Sequence, residues 1–107
     1  MSEYYHLESK VLLYPGMDAW HFLNVPKKES EEITRKFGAK KRGWGSLPVT
    51  VTILRHGSGQ VNKTSWKTSI FPDKRSGTYV LPLKAEVREK EHIKAGMMVA
   101  FSLRIEV

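Results

Sequence analysis

Residues 79–105 read YVLPLKAEVREKEHIKAGMMVAFSLRI: an apolar strand, a proline, a charged helix, a glycine and an alternating strand. In the last run Val99, Phe101, Leu103 and Ile105 share one face, opposite Ala100, Ser102, Arg104 and Glu106. That period of two marks a half-buried strand. Upstream, Leu83 and Val87 fall on one face of a helix predicted from Pro82 to about His92, with Glu86 and Lys90 outward. Gly96 is expected to start the strand that follows. The same order of elements occurs earlier: Phe22-Leu23-Asn24-Val25-Pro26, then Lys27 to Phe37, Gly38, and Val49 to Ile53. Two β-α-β units of one design imply a mostly β protein, a β-barrel with two short α-helices and a pseudo-twofold internal repeat. The halves run from about 6 to 54 and from about 65 to 107, within a single domain of residues 1–107.

The first helix is well specified. Pro26 suits its first turn, Glu29, Glu31 and Glu32 lie near its start, and Arg35 and Lys36 near its end. Glu31–Arg35 and Glu32–Lys36 are spaced for i, i+4 pairing. Ile33 and Phe37 supply its buried contact, and Gly38 is free to end it in the left-handed conformation. Before it, His6 to Tyr14 reads as a strand, Pro15-Gly16 as a turn, and Ala19 to Val25 as a second strand antiparallel to the first. After it, Lys40 to Ser46 is a basic loop carrying Trp44. Arg55 to Thr64 is a polar connection whose Gly57-Ser58-Gly59 tip is expected to be mobile. Ser65 to Phe71 and Thr78 to Leu81 form a hairpin around Pro72 to Gly77, with Lys74 and Arg75 exposed at its tip.

Composition narrows the class. The chain has 107 residues, 40% hydrophobic and 27% charged, within the globular range. Without cysteine it has no disulfide, thiolate metal site or cysteine nucleophile. No apolar run resembles a leader or a membrane span, and the start, Met1-Ser2-Glu3-Tyr4-Tyr5-His6, is polar, so the reading is a cytoplasmic protein. Net charge is +7 with a pI near 9.8, which favours nucleic acid or another polyanion as partner if the charge serves more than solubility. The excess falls in two segments, Lys27 to Trp44 and Arg55 to Gly77, each carrying a net +4.

No catalytic residue, metal site or cofactor is assigned. His6, His21, His56 and His92 lie on different elements and lack ligand spacing. Gly43-Trp44-Gly45 is neither a dinucleotide fingerprint nor a phosphate loop, and no serine occupies a nucleophile elbow. The carboxylates are scattered, with Asp73 a turn former. Two aromatic–basic groupings remain: Trp44 after Lys40, Lys41 and Arg42, and Trp66 near Lys74 and Arg75. Both tryptophans suit core packing as well as stacking on a base.

Ile70-Phe71-Pro72-Asp73-Lys74-Arg75-Ser76-Gly77-Thr78-Tyr79-Val80-Leu81-Pro82-Leu83-Lys84 carries a more specific signal. With Trp20-His21-Phe22, Val25-Pro26-Lys27, Phe37-Gly38 and Gly43-Trp44-Gly45-Ser46-Leu47-Pro48-Val49, it resembles an uncharacterised bacterial family, domain of unknown function nineteen-oh-five. The resemblance runs from about Leu7 to Val107, with a longer connection at Arg55 to Thr64 than the family's usual tight turn. It implies a small double-split β-barrel, similar to the AbrB/MazE swapped-hairpin DNA-binding proteins, which build a comparable barrel from two chains. By that analogy one chain would hold both halves and need no partner to close the barrel, which implies a monomer. Some family members are fused to a domain related to bacteriocin protection, an association with stress or envelope functions. The family brings no agreed activity or binding residues, and fold analogy is a weak warrant for function.

Three readings follow. The first is a small binding or accessory domain of unknown ligand. The second is a nucleic-acid-binding regulator placing Lys40, Lys41, Arg42, Lys74 and Arg75 on phosphates. It requires affinity that falls steeply with salt and is lost on alanine substitution at those positions. The third is a small-molecule or enzymatic pocket between the barrel and the second helix, bordered by Trp66, Phe71 and Arg88.

Overall fold

A computed structural model describes residues 3–14, 20–40, 45–57 and 59–107. Its elements are β1 (Glu3–Lys10), β2 (Leu12–Leu13), β3 (His21–Asn24), α1 (Lys27–Phe37), β4 (Leu47–His56), β5 (Ser65–Asp73), β6 (Thr78–Pro82), α2 (Ala85–Glu91) and β7 (Met98–Ile105). The strands form one antiparallel sheet in the order β1-β7-β4-β5-β6-β3-β2, curled into a half-barrel. The expected Pro15-Gly16 turn, Ala19, Lys41, Arg42, Gly43, Trp44 and Ser58 lie outside the described residues.

Alternation builds the core. Leu47, Val49, Val51 and Ile53 of β4 meet Val99, Phe101, Leu103 and Ile105 of β7, all excluded from solvent. Burying each such side chain contributes roughly 1.5–3 kcal/mol against the entropy of ordering it.

Two strands change partner along their length. Over 6–14 the sequence predicts one strand pairing with the next, but the chain breaks at buried Val11. Its N–H donates to the Met97 carbonyl (2.9 Å) and its own carbonyl accepts from Gly96 N–H (2.8 Å). Held there, β1 pairs with β7, and the ladder to β3 is made by β2. In β5, residues 65–70 pair with β4 and residues 71–73 with β6.

Both helices sit where the charge and apolar spacing put them, with different ends from those expected. Glu32 and Lys36 pair at 3.5 Å on α1. Gly38 stays right-handed (φ −57°) and leads into a 3-10 turn, Gly38–Lys40, because its N–H still reaches the Thr34 carbonyl. The left-handed ending occurs instead on α2, at His92 (φ 55°), whose N–H turns back to Arg88 and Glu89 carbonyls. Pro82 does not open α2: it belongs to β6, opposite Phe22. Leu83 N–H then donates to the His21 carbonyl (2.9 Å), so the chain stays extended until Lys84. Gly96 occupies the turn before β7 with φ +92°, a left-handed conformation that glycine accepts without strain.

Buried Ser30 fastens α1 to the sheet. Its hydroxyl donates to the Val25 carbonyl (2.9 Å) and accepts from Tyr79 N–H (3.0 Å), while Val25 N–H donates to the Tyr79 carbonyl (2.9 Å). Ser30→Ala leaves a buried N–H and a buried carbonyl short of a partner, and is expected to lower stability by about 1–3 kcal/mol in urea unfolding. Alanine's better helix propensity opposes this, so an unchanged or raised midpoint would show that the hydroxyl does not hold α1.

Candidate ligand-binding cleft

A cleft of about 290 Å³ opens where β5 leaves β6. The β5–β6 ladder ends at Phe71 opposite Val80, so Pro82 and Leu83 lie beyond it. Trp66 and Thr68, two residues apart on one face of β5, line the opening together with Trp20, His21, Lys84 and Arg88. Trp20 is seated in an aromatic cluster, edge-on to Tyr14 (4.8 Å) and stacked on Phe22 (5.5 Å). Arg88 is half-buried, and its Nε donates to the Leu83 carbonyl at 3.1 Å, which orients the guanidinium. Among the described residues the lining contains two basic side chains, one histidine and no carboxylate. Its chemistry is aromatic and cationic.

The pocket expected between the barrel and the second helix thus gathers Trp66 and Arg88, with Trp66 half-buried at the edge of the core. Phe71 does not line it, since it follows buried Ile70 and faces the other side of β5. Sequence reasoning missed Trp20, His21 and Lys84. A signal existed in the Trp20-His21-Phe22 and Leu83-Lys84 runs, but nothing in it connected the two.

The basic candidates among the described residues, Lys40, Lys74 and Arg75, do not line the cleft. Lys40 is exposed at the end of the 3-10 turn, and Lys74 and Arg75 are exposed on the β5–β6 turn. Asp73 builds that turn by accepting from Arg75 N–H (3.3 Å) and the Ser76 hydroxyl (2.9 Å). Arg75 places its guanidinium 4.6 Å from the Tyr14 ring centroid, a cation–π contact. Lys74 borders a separate groove shared with Ser30 and Thr34 of α1.

One acid–base pair also has the residue types of a catalytic dyad. His56 Nε2 lies 3.0 Å from Glu91 Oε1, and neither side chain has solvent access. A register shift between Ile53 and Arg55 brings them together: it puts Arg55 outside and His56 inside, reversing the period of two. Glu91 Oε1 also accepts from Asn62 N–H (3.0 Å), and Oε2 from Thr64 N–H (2.8 Å). Burial alone raises the Glu91 carboxyl pKa, but the hydrogen bonds from Thr64, Asn62 and His56 outweigh it and bring the value down to about 2. Among the described residues no opening leads to this pair. It is a structural latch that ties the end of β4 and residues 62–64 to α2, so the second part of the polar connection is anchored.

Because Glu91 is depressed in the folded chain, its stabilisation is complete above the usual carboxylate value of 4.5 and fades as pH falls towards 2. Glu91→Ala leaves His56 and two N–H groups buried without their acceptor and is expected to cost about 3–5 kcal/mol in urea unfolding at pH 7. Glu91→Gln, if folded, should flatten the stability profile between pH 5 and pH 2. Retention of the full acid slope by Glu91→Gln would assign that slope to other carboxylates.

Among the described residues no helix is long and apolar enough to cross a membrane. No curated protein matches the chain. Residues 8–103, which contain both helices and every residue lining the cleft, match the family model described as a domain of unknown function (DUF1905), and the chain belongs to that family.

Proposed function

We propose that this protein is a binding or accessory domain whose ligand is a small molecule held in the cleft between β3, β5 and the start of α2. The observation that carries this reading is the cleft lining: two tryptophans with Lys84 and Arg88, and no acidic side chain among the described residues. Half-buried aromatics beside a few oriented polar groups are the usual composition of small-molecule sites. A binding role is favoured over an enzymatic one because the His56–Glu91 pair has the residues of a proton-transfer dyad but both side chains are shut off from solvent.

The scaffold under this site is a double-split barrel with a pseudo-twofold repeat, monomeric and cytoplasmic, its halves near 6–54 and 65–107. The pairing pattern supports the twofold repeat. Exchanging the first strand with β5, β3 with β6 and β4 with β7 maps the β1–β7 ladder onto β4–β5 and β2–β3 onto β5–β6, and leaves β3–β6 and β4–β7 in place.

The regulator reading retains one supporting feature, the exposed Lys74 and Arg75 on a turn that touches an aromatic ring. It is the weaker of the two. Arg75 already spends one face on Tyr14, whereas Arg88 pairs with no carboxylate among the described residues.

An amide NMR titration separates the readings. Fragment hits should cluster on Trp66, Thr68, Leu83, Ala85 and Arg88, and Trp66→Ala should weaken them about tenfold, the scale of one aromatic contact. Shifts confined to Lys40 and to residues 73–77 on addition of a mixed-sequence DNA duplex at near-physiological salt would instead favour the regulator.

A further inference from the structure

The cleft occupies one of the two places where a strand changes partner, and the two places are treated differently. At the first, where β1 gives way to β2, the Ser9 hydroxyl donates to the Asn24 carbonyl and bridges the strands. At the second, where β5 parts from β6, the gap is left open, and tryptophans come to it from two sides. Trp20 arrives on the β3 side and Trp66 on β5. Large aromatic side chains left half-buried around an open gap are an unspent apolar surface, suited to a flat partner.

Charge in the same gap is also unspent. Arg55 has Glu8 at 3.7 Å, and Arg104 has Glu106 at 3.1 Å with the Tyr4 hydroxyl beside it. Arg88 is half-buried yet has no carboxylate partner among the described residues, and its one hydrogen bond uses Nε alone. The two terminal nitrogens of its fork therefore remain for a ligand, fixed in direction by the Leu83 carbonyl. A half-buried cation with no counter-charge is costly to maintain and favours an incoming anion. Lys84, exposed at the lip, adds a second positive charge.

From these observations we infer that the ligand is a planar aromatic anion, its ring against the indoles of Trp20 and Trp66 and its carboxylate or phosphate on Arg88 and Lys84. This inference rests on the cleft being the binding site. Arginine matches either acid group by a two-pronged hydrogen bond, and an aromatic ring adds stacking to it. At about 290 Å³ the cleft takes a single ring system with its acid group, near the small end of ligand sites.

The test uses the full chain and four probes: naphthalene-2-carboxylate, 2-naphthalenemethanol, cyclohexanecarboxylate and adenosine monophosphate. Binding is followed on the indole N–H resonances of Trp20 and Trp66. Naphthalene-2-carboxylate should bind about tenfold more tightly than either the neutral alcohol or the non-aromatic acid. Arg88→Ala should cut the preference for acid over alcohol to about threefold or less, the share left to Lys84, while leaving alcohol binding unchanged. Lys84→Ala, at an exposed position outside the core, should reduce the preference about threefold and serves as the reporter if Arg88→Ala does not fold. Adenosine monophosphate binding more tightly or more weakly than the naphthoate identifies phosphate or carboxylate as the preferred acid group, and either supports the inference. Equal affinity for acid and alcohol, or a preference that survives both substitutions, overturns the anion inference and leaves the cleft as the site. If none of the four probes moves either indole, both the inference and the cleft reading fall.

Discussion

A carboxylate shut away from water must receive its hydrogen bonds from the protein, and in this fold Glu91 imposes that demand at a junction of three segments. It sits on α2 at four-residue spacing from Leu83 and Val87, on the stripe that packs against the sheet. Its oxygens are met by His56 from the end of β4 and by the N–H groups of Asn62 and Thr64. Apolar packing alone would let a seven-residue helix slide or rotate, because dispersion contacts have little direction. Hydrogen bonds to an ionised oxygen do have direction, and the cost of leaving them unmade is high. The orientation of α2 follows, and with it the placement of Leu83, Lys84 and Arg88 at the cleft.

The opening itself is a consequence of curling the sheet. A strand that pairs with one neighbour along its first part and another along its second must leave a gap where the neighbours diverge. The chain fills one such gap with a serine-to-carbonyl bridge and lines the other with tryptophans. Filling both would give the sheet more cohesion. The stability forgone at Trp66 and Arg88 is what a binding surface requires, since contacts already satisfied internally have nothing to offer a ligand.

Net charge of +7 drew attention to the lysine- and arginine-rich turns, and most of that charge lies on exposed side chains. Position separates its members. Lys40 and Lys74 are solvated, where water and salt screen a charge strongly. Arg88 is half-buried and oriented, where a charge acts at greater strength on fewer groups. The lone arginine in the cleft therefore carries more information about a partner than the clusters do.

Much of the architecture was legible in the chain. Periods of two and of about four, prolines before charged helical runs and glycines at turns gave both helices, β4 through β7 and the core faces of β4 and β7, because those signals act between near neighbours. The half-buried edges were less legible. Nothing local marks Val11 as the point where a strand divides, since its partners Gly96 and Met97 are far along the sequence. Glu91 repeats the four-residue spacing of Leu83 and Val87 but was counted with the scattered carboxylates, and its partner was concealed by the bulge before His56, which inverts the alternation that the residues themselves display. The cleft was seen in outline through Trp66 and Arg88 and missed in Trp20, His21 and Lys84. By itself, then, the sequence determined which segments are strands and helices and which of their faces turn inward, because backbone preference and side-chain period are properties of adjacent residues. Only the tertiary structure decided which strand pairs with which, where the gap stays open and which charges face it, because those outcomes depend on directional contacts between residues tens of positions apart.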